Sequence, residues 1–220
     1  MDGSSSTPLD DAVVARRAAV VMAGHTGDAT TAVGGLSDPA PSVRAAALGA
    51  AARTGELDDR RLATALADPD ATVRRRAAEL AATSGGAGSL PALVALLDDT
   101  DARVVEVAAF ACGEHGAAGS DEVAPLARVA TGHDDALCRE AAVAAIGSLA
   151  GRERVGDGST ALDAVLAGCS DRAAVRRRAV LALAAFDDPE ATEALRRATA
   201  DRDLQVRQAA EELLAIDEGD

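Results

Sequence analysis

Residues 66–80 read LADPDATVRRRAAEL, and this pattern returns along the chain at a period of about thirty residues. Ungapped copies start at Leu36 (LSDPAPSVRAAALGA) and at Leu97 (LDDTDARVVEVAAFA). Weaker copies start at Asp10, Ala130, Gly168 and Thr199. Self-similarity at a fixed period of this size is the sequence signature of a repeat architecture, so we analyse the chain as a series of repeats.

An apolar residue marks the register of the repeat, seven positions after the start in every copy except the degenerate first one. We place these anchors at Val14, Val43, Val73, Val104, Leu137, Val175 and Val206. Their successive spacings are 29, 30, 31, 33, 38 and 31 residues, and the widest spacing contains the glycine-rich stretch 151–159. The sequence therefore predicts about seven units.

Each unit is predicted to contain two helices joined by a turn. The Asp-Pro pair at 68–69 ends the first helix, because proline cannot continue a helix and pushes the preceding residue out of the α region. Asp70 then stands where the second helix needs an N-cap, as Asp101 and Asp203 do in other copies. Val73 and Ala77 fall at i and i+4, on one apolar face of that helix. One such hairpin cannot bury its apolar face alone, so neighbouring hairpins must stack.

The composition agrees with a helical fold. The 220-residue chain is 48% hydrophobic, yet it contains two phenylalanines, no tryptophan and no tyrosine, and alanine is its commonest residue. Alanine is the best helix former, whereas sheets favour aromatic and β-branched residues. We predict an all-α fold, an α-solenoid (superhelix) of about seven antiparallel helix pairs. It would form a single domain over 9–216 with an irregular loop at 151–159, a disordered N-terminal tail at 1–8 and an acidic C-terminal tail at 217–220.

The repeat resembles the HEAT repeat, specifically the short variety of phycobilisome-lyase-like proteins. The resemblance lies in the form D-P-x-x-x-V-R-x-x-A-A, which residues 68–78 match in full, and copies of it cover nearly the whole chain. Two copies depart from it, with Val105 and Cys138 at the arginine position. The resemblance implies a stack whose second helices line a concave surface. It implies little about activity, because one architecture hosts unrelated functions.

The charge composition of the chain indicates the kind of environment in which its source organism lives. Acidic residues number 36 and basic residues 22, every basic residue is arginine, and the net charge is −14 with a pI near 4.6. Such an acidic, lysine-free composition resembles that of proteins from salt-accumulating haloarchaea. A bacterium with a GC-rich genome is the alternative. At molar salt the Debye length is about 3 Å, so the net charge would repel little beyond contact range.

Targeting and disulfide signals are weak. Residues 1–11, MDGSSSTPLDD, lack the basic start and apolar core of a signal peptide. No apolar run reaches the roughly 20 residues that cross a bilayer. Cys112, Cys138 and Cys169 include no C-x-x-C pair, which argues against a disulfide framework. We expect a cytoplasmic protein with no membrane partner.

The residue types in this sequence give little support to a metal site or a cofactor site. Some short HEAT-repeat proteins are di-iron deoxyhypusine hydroxylases with several His-Glu pairs, and three histidines in all are too few for such a site. A zinc site from Cys112, His115, His133 and Cys138 would need ligands from opposite helix ends, roughly 18 Å apart. A bilin-lyase-like role would need aromatic walls around a flat tetrapyrrole. We therefore predict no catalytic residue, no metal and no cofactor.

Arginines concentrate early in the second helices, in two sets. One set follows the anchors and is expected to pair with turn aspartates between repeats; it comprises Arg44, Arg74, Arg176 and Arg207, with Asp38 and Asp68. The other set is predicted to bind a partner and comprises Arg75, Arg76, Arg139, Arg177 and Arg178. Guanidinium groups bind carboxylates and phosphates through paired hydrogen bonds.

These residues predict a non-catalytic scaffold or adaptor whose concave face holds another protein, in particular an acidic or extended segment. A nucleic-acid-binding solenoid with a concave arginine track is the alternative. The negative net charge and the scarcity of stacking aromatic side chains disfavour it. The partner's identity, the pathway, the oligomeric state and the face used stay open.

Overall fold

The computed structural model describes residues 8–217, with the side chains of residues 11–215. Within that part of the chain the backbone forms thirteen α-helices, two short 3₁₀ helices and no strand, so the all-α prediction is confirmed. The 3₁₀ helices, Gly35–Ser37 and Leu96–Asp98, extend the second and sixth α-helices. The α-helices are α1 (Pro8–Thr26), α2 (Ala29–Gly34), α3 (Pro41–Thr54), α4 (Asp59–Leu66), α5 (Ala71–Ser84), α6 (Leu90–Ala95), α7 (Ala102–Glu114), α8 (Ser120–Gly132), α9 (Ala136–Ala150), α10 (Ser159–Gly168), α11 (Ala173–Leu183), α12 (Pro189–Ala198) and α13 (Leu204–Asp217).

The helices alternate in role along the chain. Even-numbered helices are the first helices of the predicted pairs, and odd-numbered helices are the second ones, which carry the repeat pattern. The described residues thus contain six pairs, from α2 with α3 to α12 with α13. They also contain α1, which is the second helix of the first copy. The predicted tails at 1–8 and 217–220 lie outside the described residues, except that Pro8 begins α1 and Asp217 ends α13.

Contacts divide the chain into two compact units, Met1–Ala92 and Leu93–Asp220. In the first unit, α1, α3 and α5 pack side by side, with α2 and α4 against them. In the second unit, α7, α9, α11 and α13 form one layer, while α8, α10 and α12 lie against it. Each unit is therefore two-layered, with second helices on one side and first helices on the other. The extent of a single domain over 9–216 stays a prediction.

Aspartates begin the second helices as the sequence predicts. The Asp70 carboxylate accepts the backbone N–H of Thr72, and the Asp101 carboxylate accepts that of Arg103, both at 2.9 Å. Asp203 accepts the N–H of Gln205 at 2.9 Å. Each carboxylate satisfies a backbone donor that the helix itself leaves unbonded, and its charge complements the helix dipole.

Five of the seven predicted anchor residues are buried, and the other two anchor predictions are wrong. The side chains of Val14 and Leu137 are 65% and 55% exposed. In the fifth copy the buried residue is Cys138, because the turn holds one more residue before its N-cap, Asp135. In the first copy Val13 packs against the core. The buried anchors are Val43, Val73, Val104, Val175 and Val206.

The corrected register shows how the second helices pack. An alanine stands four residues after the anchor in each of six copies, and each one is fully buried: Ala47, Ala77, Ala108, Ala142, Ala179 and Ala210. A small side chain at this position lets neighbouring helices approach closely. Helices α7 and α9 approach each other tightly at Gly113 of α7. A Cβ added to this glycine would lie 2.6 Å from the Cα of Ala145 on α9.

The stretch between α9 and α10 forms turns instead of a helix. Two of its arginines bind backbone carbonyls near the end of α7. Arg152 Nη2 donates to the carbonyl of Gly113, and Arg154 Nη1 donates to that of Gly116 at 2.6 Å. Gly156 and Gly158 have φ values of 69° and 77°, in the left-handed region that glycine adopts without strain. The glycines of 151–159 thus allow turn conformations that other residues rarely adopt.

Candidate functional site

Within each unit, arginines early in the second helices contact the turn of the next repeat, and those of α3, α9 and α11 directly follow the anchor. Nε and Nη2 of Arg44 donate to the two carboxylate oxygens of Asp68 at 2.8 and 2.7 Å. The same two-pronged contact is made by the pairs Arg16–Asp38, Arg139–Asp171 and Arg176–Asp201. We call these arginines, together with Arg74 and Arg207, the seam arginines.

The seam arginines of α3, α5, α9, α11 and α13 also bind the turn that precedes their own helix. Nη1 of Arg44 donates to the carbonyl of Asp38 at 2.9 Å, Nη1 of Arg74 to that of Asp68 at 2.8 Å, and Nη1 of Arg207 to that of Asp201 at 2.7 Å. One guanidinium thus joins two consecutive turns. Its planar array of donors allows this, because separate N–H groups can reach a carboxylate and a carbonyl at once.

Burial and charge make this contact strong. In the Arg176–Asp201 pair the two side chains are only 7% and 14% exposed. The hydrogen bond from Arg176 holds the pKa of the Asp201 carboxyl below its usual value, and that from Arg139 does the same for Asp171. The carboxylates are therefore stabilised in their charged form within the fold.

Arg139 was predicted to bind a partner, but in the structure it takes part in the contact between consecutive repeats. Because Cys138 is the anchor, Arg139 holds the seam position, and its guanidinium contacts Asp171 at 2.6 Å. The assignment of Cys138 to the arginine position is wrong by one residue. Arg16 was missed because the first copy is degenerate. Counting three residues from the N-cap aspartate, instead of from the start of the copy, would have placed Cys138 correctly.

The exposed arginines of α5 are paired within their own helix. Nη1 of Arg75 and Nη1 of Arg76 donate to the two carboxylate oxygens of Glu79 at 2.9 and 2.8 Å. Arg76 also lies across α3, since a Cβ added to Gly49 would meet its Nη2 at 3.0 Å. The donors of these two predicted binding residues are thus partly occupied.

Arg177 and Arg178 lie beside a groove along α11. Nη1 of Arg177 donates to Oε1 of Gln205 at 3.4 Å, and Nη2 of Arg178 lies 3.6 Å from a carboxylate oxygen of Glu140. The groove has a volume of about 250 Å³, and Leu181 forms part of its apolar lining.

Equivalent positions of the second helices show which residues the predicted arginine stripe contains. Two residues after the anchor stand Ala45, Arg75, Glu106, Glu140, Arg177 and Gln208. Within the second unit, glutamates on α7 and α9 occupy the position that holds an arginine on α11. The stripe is therefore not continuous there.

Among the exposed large apolar side chains of the described residues, two stand at equivalent positions of second helices and were missed by the sequence analysis. Phe110 on α7 is 55% exposed and Leu181 on α11 is 40% exposed. Both stand six residues after their anchors, and the equivalent residue of α9 between them is Ala144, which is partly buried. We call the positions two, three and six residues after the anchor on α7, α9 and α11 the second-helix face of the second unit. Aligning the copies in the corrected register shows that Phe110 and Leu181 are equivalent, but their exposure follows only from the packing of the neighbouring helices.

Cys112, Cys138 and His115 are buried. Burial raises the pKa of the Cys112 thiol to about 12 and that of Cys138 to about 11. The buried His115 accepts the N–H of Ala117 at Nδ1, and His133 accepts that of Asp135. Between residues 8 and 217, no group of three or more histidine, cysteine, aspartate or glutamate residues is arranged to hold a metal ion.

None of the helices in the described part of the chain is long and apolar enough to cross a membrane.

Comparison with known proteins identifies the fold class of this chain. Residues 59–147, from the start of α4 into α9, match the family model for HEAT repeats. An engineered protein shares 19% identity, with 87% of this chain and 97% of that one covered and a TM-score of 0.63. A designed armadillo repeat protein, solved in complex with the peptide (KR)4, shares 20% identity, with 84% and 97% covered and a TM-score of 0.63.

The fold is therefore that of the armadillo and HEAT repeat solenoids. Human deoxyhypusine hydroxylase also matches, with 22% identity, 99% and 82% of the two chains covered, and a TM-score of 0.48. That score is too low to support an argument about activity. No curated protein matches the sequence.

Proposed function

We propose that this protein is a non-catalytic scaffold that binds a segment of another protein on its second helices, on the face that the sequence predicts to be concave. One observation carries the proposal. Phe110 on α7 and Leu181 on α11 are large apolar side chains that stay more than a third exposed, at equivalent positions of the second-helix face, and Leu181 lines the same groove as Arg177. A single exposed apolar residue is ordinary, but two at equivalent repeat positions of one face are suited to act as apolar anchors for a bound segment.

The fold supports this function. Repeat solenoids present long rows of equivalent positions, which suit an extended ligand. The designed armadillo protein of the same fold was solved with a peptide. Its peptide is basic, whereas we propose an acidic partner for this chain, because the exposed guanidinium groups of its second helices are suited to carboxylates.

A peptide display experiment tests the proposal. A phage-displayed library of random dodecapeptides is selected against the full chain, and the affinities of the enriched peptides are measured. The double variant Phe110→Ala/Leu181→Ala should bind them about tenfold more weakly or worse, because truncated apolar anchors lose most of their binding energy. Both side chains are exposed, so circular dichroism should show an unchanged fold.

Met22→Ala is the matched control. Met22 is 58% exposed on α1, in the first unit, and its truncation should leave the affinities unchanged. Failure to enrich any peptide would contradict the proposal, as would enriched peptides that bind the double variant as tightly as the natural chain.

The nucleic-acid alternative gains no support from the second unit, because Glu106 and Glu140 would repel a phosphate backbone at positions between the arginines.

We also propose a cytoplasmic, halophilic protein. Its helical circular dichroism should fall when salt is removed, since acidic self-repulsion is then unscreened. Full helicity in dilute buffer would contradict the halophilic assignment.

A further inference from the structure

The groove beside α11 has the dimensions of a short polypeptide segment. Its lining on this helix extends from Ala173 to Leu181, which corresponds to about 12 Å at 1.5 Å per residue. Asp203 and Gln205 at the start of α13, with Glu140 on α9, complete it. A volume of about 250 Å³ accommodates the side chains of a short segment rather than a folded domain.

Arg177 is the cation of this groove that is best placed to receive an anion. Its hydrogen bond within the described residues goes to the neutral side chain of Gln205, whereas Arg178 faces the carboxylate of Glu140. A guanidinium presents five donors in a planar fork that matches both oxygens of a carboxylate. Arg177 therefore keeps donors that a carboxylate from outside can use.

The two carboxylates of the groove are engaged by the fold. Asp203 caps α13, accepting the backbone N–H groups of Gln205 at 2.9 Å and Val206 at 3.3 Å. Glu140 lies 3.6 Å from Arg178. These contacts partly balance the negative charge of both groups, so an incoming carboxylate can approach Arg177.

Leu181 supplies an apolar contact at a fixed distance from this charge. It follows Arg177 by four residues, so both side chains lie on the same side of α11, about 6 Å apart along its axis. In an extended peptide, residues i and i+2 point to the same side and lie about 6.6 Å apart. The two spacings match.

We propose that this groove holds an acidic segment of the partner protein, with a carboxylate on Arg177 and an apolar side chain two residues away on Leu181. The proposal rests on the proposed function and deepens it. It specifies the chemistry of the segment as an acidic residue and an apolar residue separated by one position, in an extended conformation along α11.

Two matched peptide libraries test this specificity. One carries a fixed aspartate at a central position and the other carries asparagine there, the uncharged isostere, while the flanking positions are random. Selection against the full chain should enrich the aspartate library, with leucine, isoleucine or phenylalanine two residues from the aspartate. The best aspartate peptide should bind about tenfold more tightly than its asparagine version, because a hydrogen bond to a charged group is stronger than a neutral one.

Variants of the groove then assign the contacts. Arg177→Gln should abolish the preference for aspartate over asparagine, while Leu181→Ala should weaken both peptides equally. Glu140→Gln should increase the preference, because it removes a competing carboxylate and leaves Arg178 available. Arg128→Gln is the control: Arg128 is an exposed arginine on α8, 3.4 Å from Asp98, and the preference should not change.

The outcomes separate the two proposals. Peptides that bind through Phe110 and Leu181 but show no preference for aspartate would overturn the carboxylate site and leave the scaffold function standing. A preference that survives Arg177→Gln would also overturn the site. If neither library yields a binding peptide, both proposals fail.

Discussion

The two units use the same contact between consecutive repeats and differ on the face of their second helices. Arg44 with Asp68 in the first unit and Arg176 with Asp201 in the second have the same two-pronged geometry. In the first unit, the positions two, three and six residues after the anchor hold small residues on α3 and arginines paired with Glu79 on α5, although α1 exposes Val14 and Met22 at other positions. In the second unit the corresponding positions expose Phe110 and Leu181.

This difference separates positions that build the stack from positions that are available for binding. The anchor, the seam arginine and the alanine four residues after the anchor each have a neighbour to contact, so they recur in nearly every copy. On α7, α9 and α11 none of the positions two, three and six residues after the anchor is buried, and these positions vary in charge and size. We therefore look for function in the variable positions and for stability in the recurring ones.

Helix spacing can be tested nine residues after the anchor, where the copies differ. Alanine stands at this position in the copies of α3, α5 and α11 (Ala52, Ala82 and Ala184), whereas α7 and α9 have Gly113 and Gly147. A Cβ added to Gly113 would lie 2.6 Å from a backbone carbon of α9, so α7 and α9 would have to move apart. Gly113→Ala should lower the free energy of unfolding by about 3 kcal/mol, the upper part of the usual range for overpacking. Urea denaturation measures this change.

Gly132→Ala is the control for that substitution. No atom lies within 4 Å of the added Cβ at the end of α8, and alanine is the better helix former, so we expect a gain of about 0.5 kcal/mol. Equal effects of the two substitutions would show that α7 and α9 do not require glycine for their approach.

The shared seam contact can be tested in both units at once. Arg44→Ala and Arg176→Ala should each lower the free energy of unfolding by roughly 2 kcal/mol, because each leaves a partly buried aspartate without its charged partner. Arg128→Ala removes an exposed pair with Asp98 in the second unit and should cost less than about 0.5 kcal/mol. If Arg176→Ala is as mild as Arg128→Ala, the seam arginines do not hold consecutive repeats together.

A smaller effect is expected from pH. The pKa values of Asp171 and Asp201 are lowered in the folded protein by their arginines, so the unfolded chain binds protons at a higher pH than the folded one. Their stabilising contribution is fully present above the usual aspartate pKa of about 4 and is lost as the pH falls through the lower folded values. Denaturation midpoints at constant high salt, between pH 6 and pH 3, should show this loss.

Asp201→Asn should remove part of that acid dependence, because the amide does not titrate. An acid dependence that is identical in the variant and the natural chain would exclude Asp201 as a contributor.

The sequence was sufficient for the repeat, the helix type and the capping aspartates, because each follows from local chemistry. Proline, aspartate and the spacing of apolar residues determine where a helix begins and which side it buries. The register of the first and fifth copies was mispredicted, since one extra residue in a turn shifts the alignment without changing the composition. Only packing shows that Val14 and Leu137 face outward and that Cys138 faces inward.

The binding face was harder to predict than the fold. Arginine clusters were visible in the sequence, but their pairing with Glu79, Asp171 and Glu140 was not, because it depends on side chains one helical turn or one repeat away. Nothing in the sequence around Phe110 indicated that its side chain is exposed. Its exposure becomes evident only when the neighbouring second helix is in place.

Methyl NMR spectroscopy of the full chain tests the central claim most directly. With leucine methyl groups labelled, the best aspartate peptide is titrated into the protein. We expect the resonances of Leu181 to shift on binding, while those of Leu62, fully buried in the first unit, stay in place. Shifts confined to leucines of the first helices, with Leu181 unchanged, would contradict a binding site on the second-helix face.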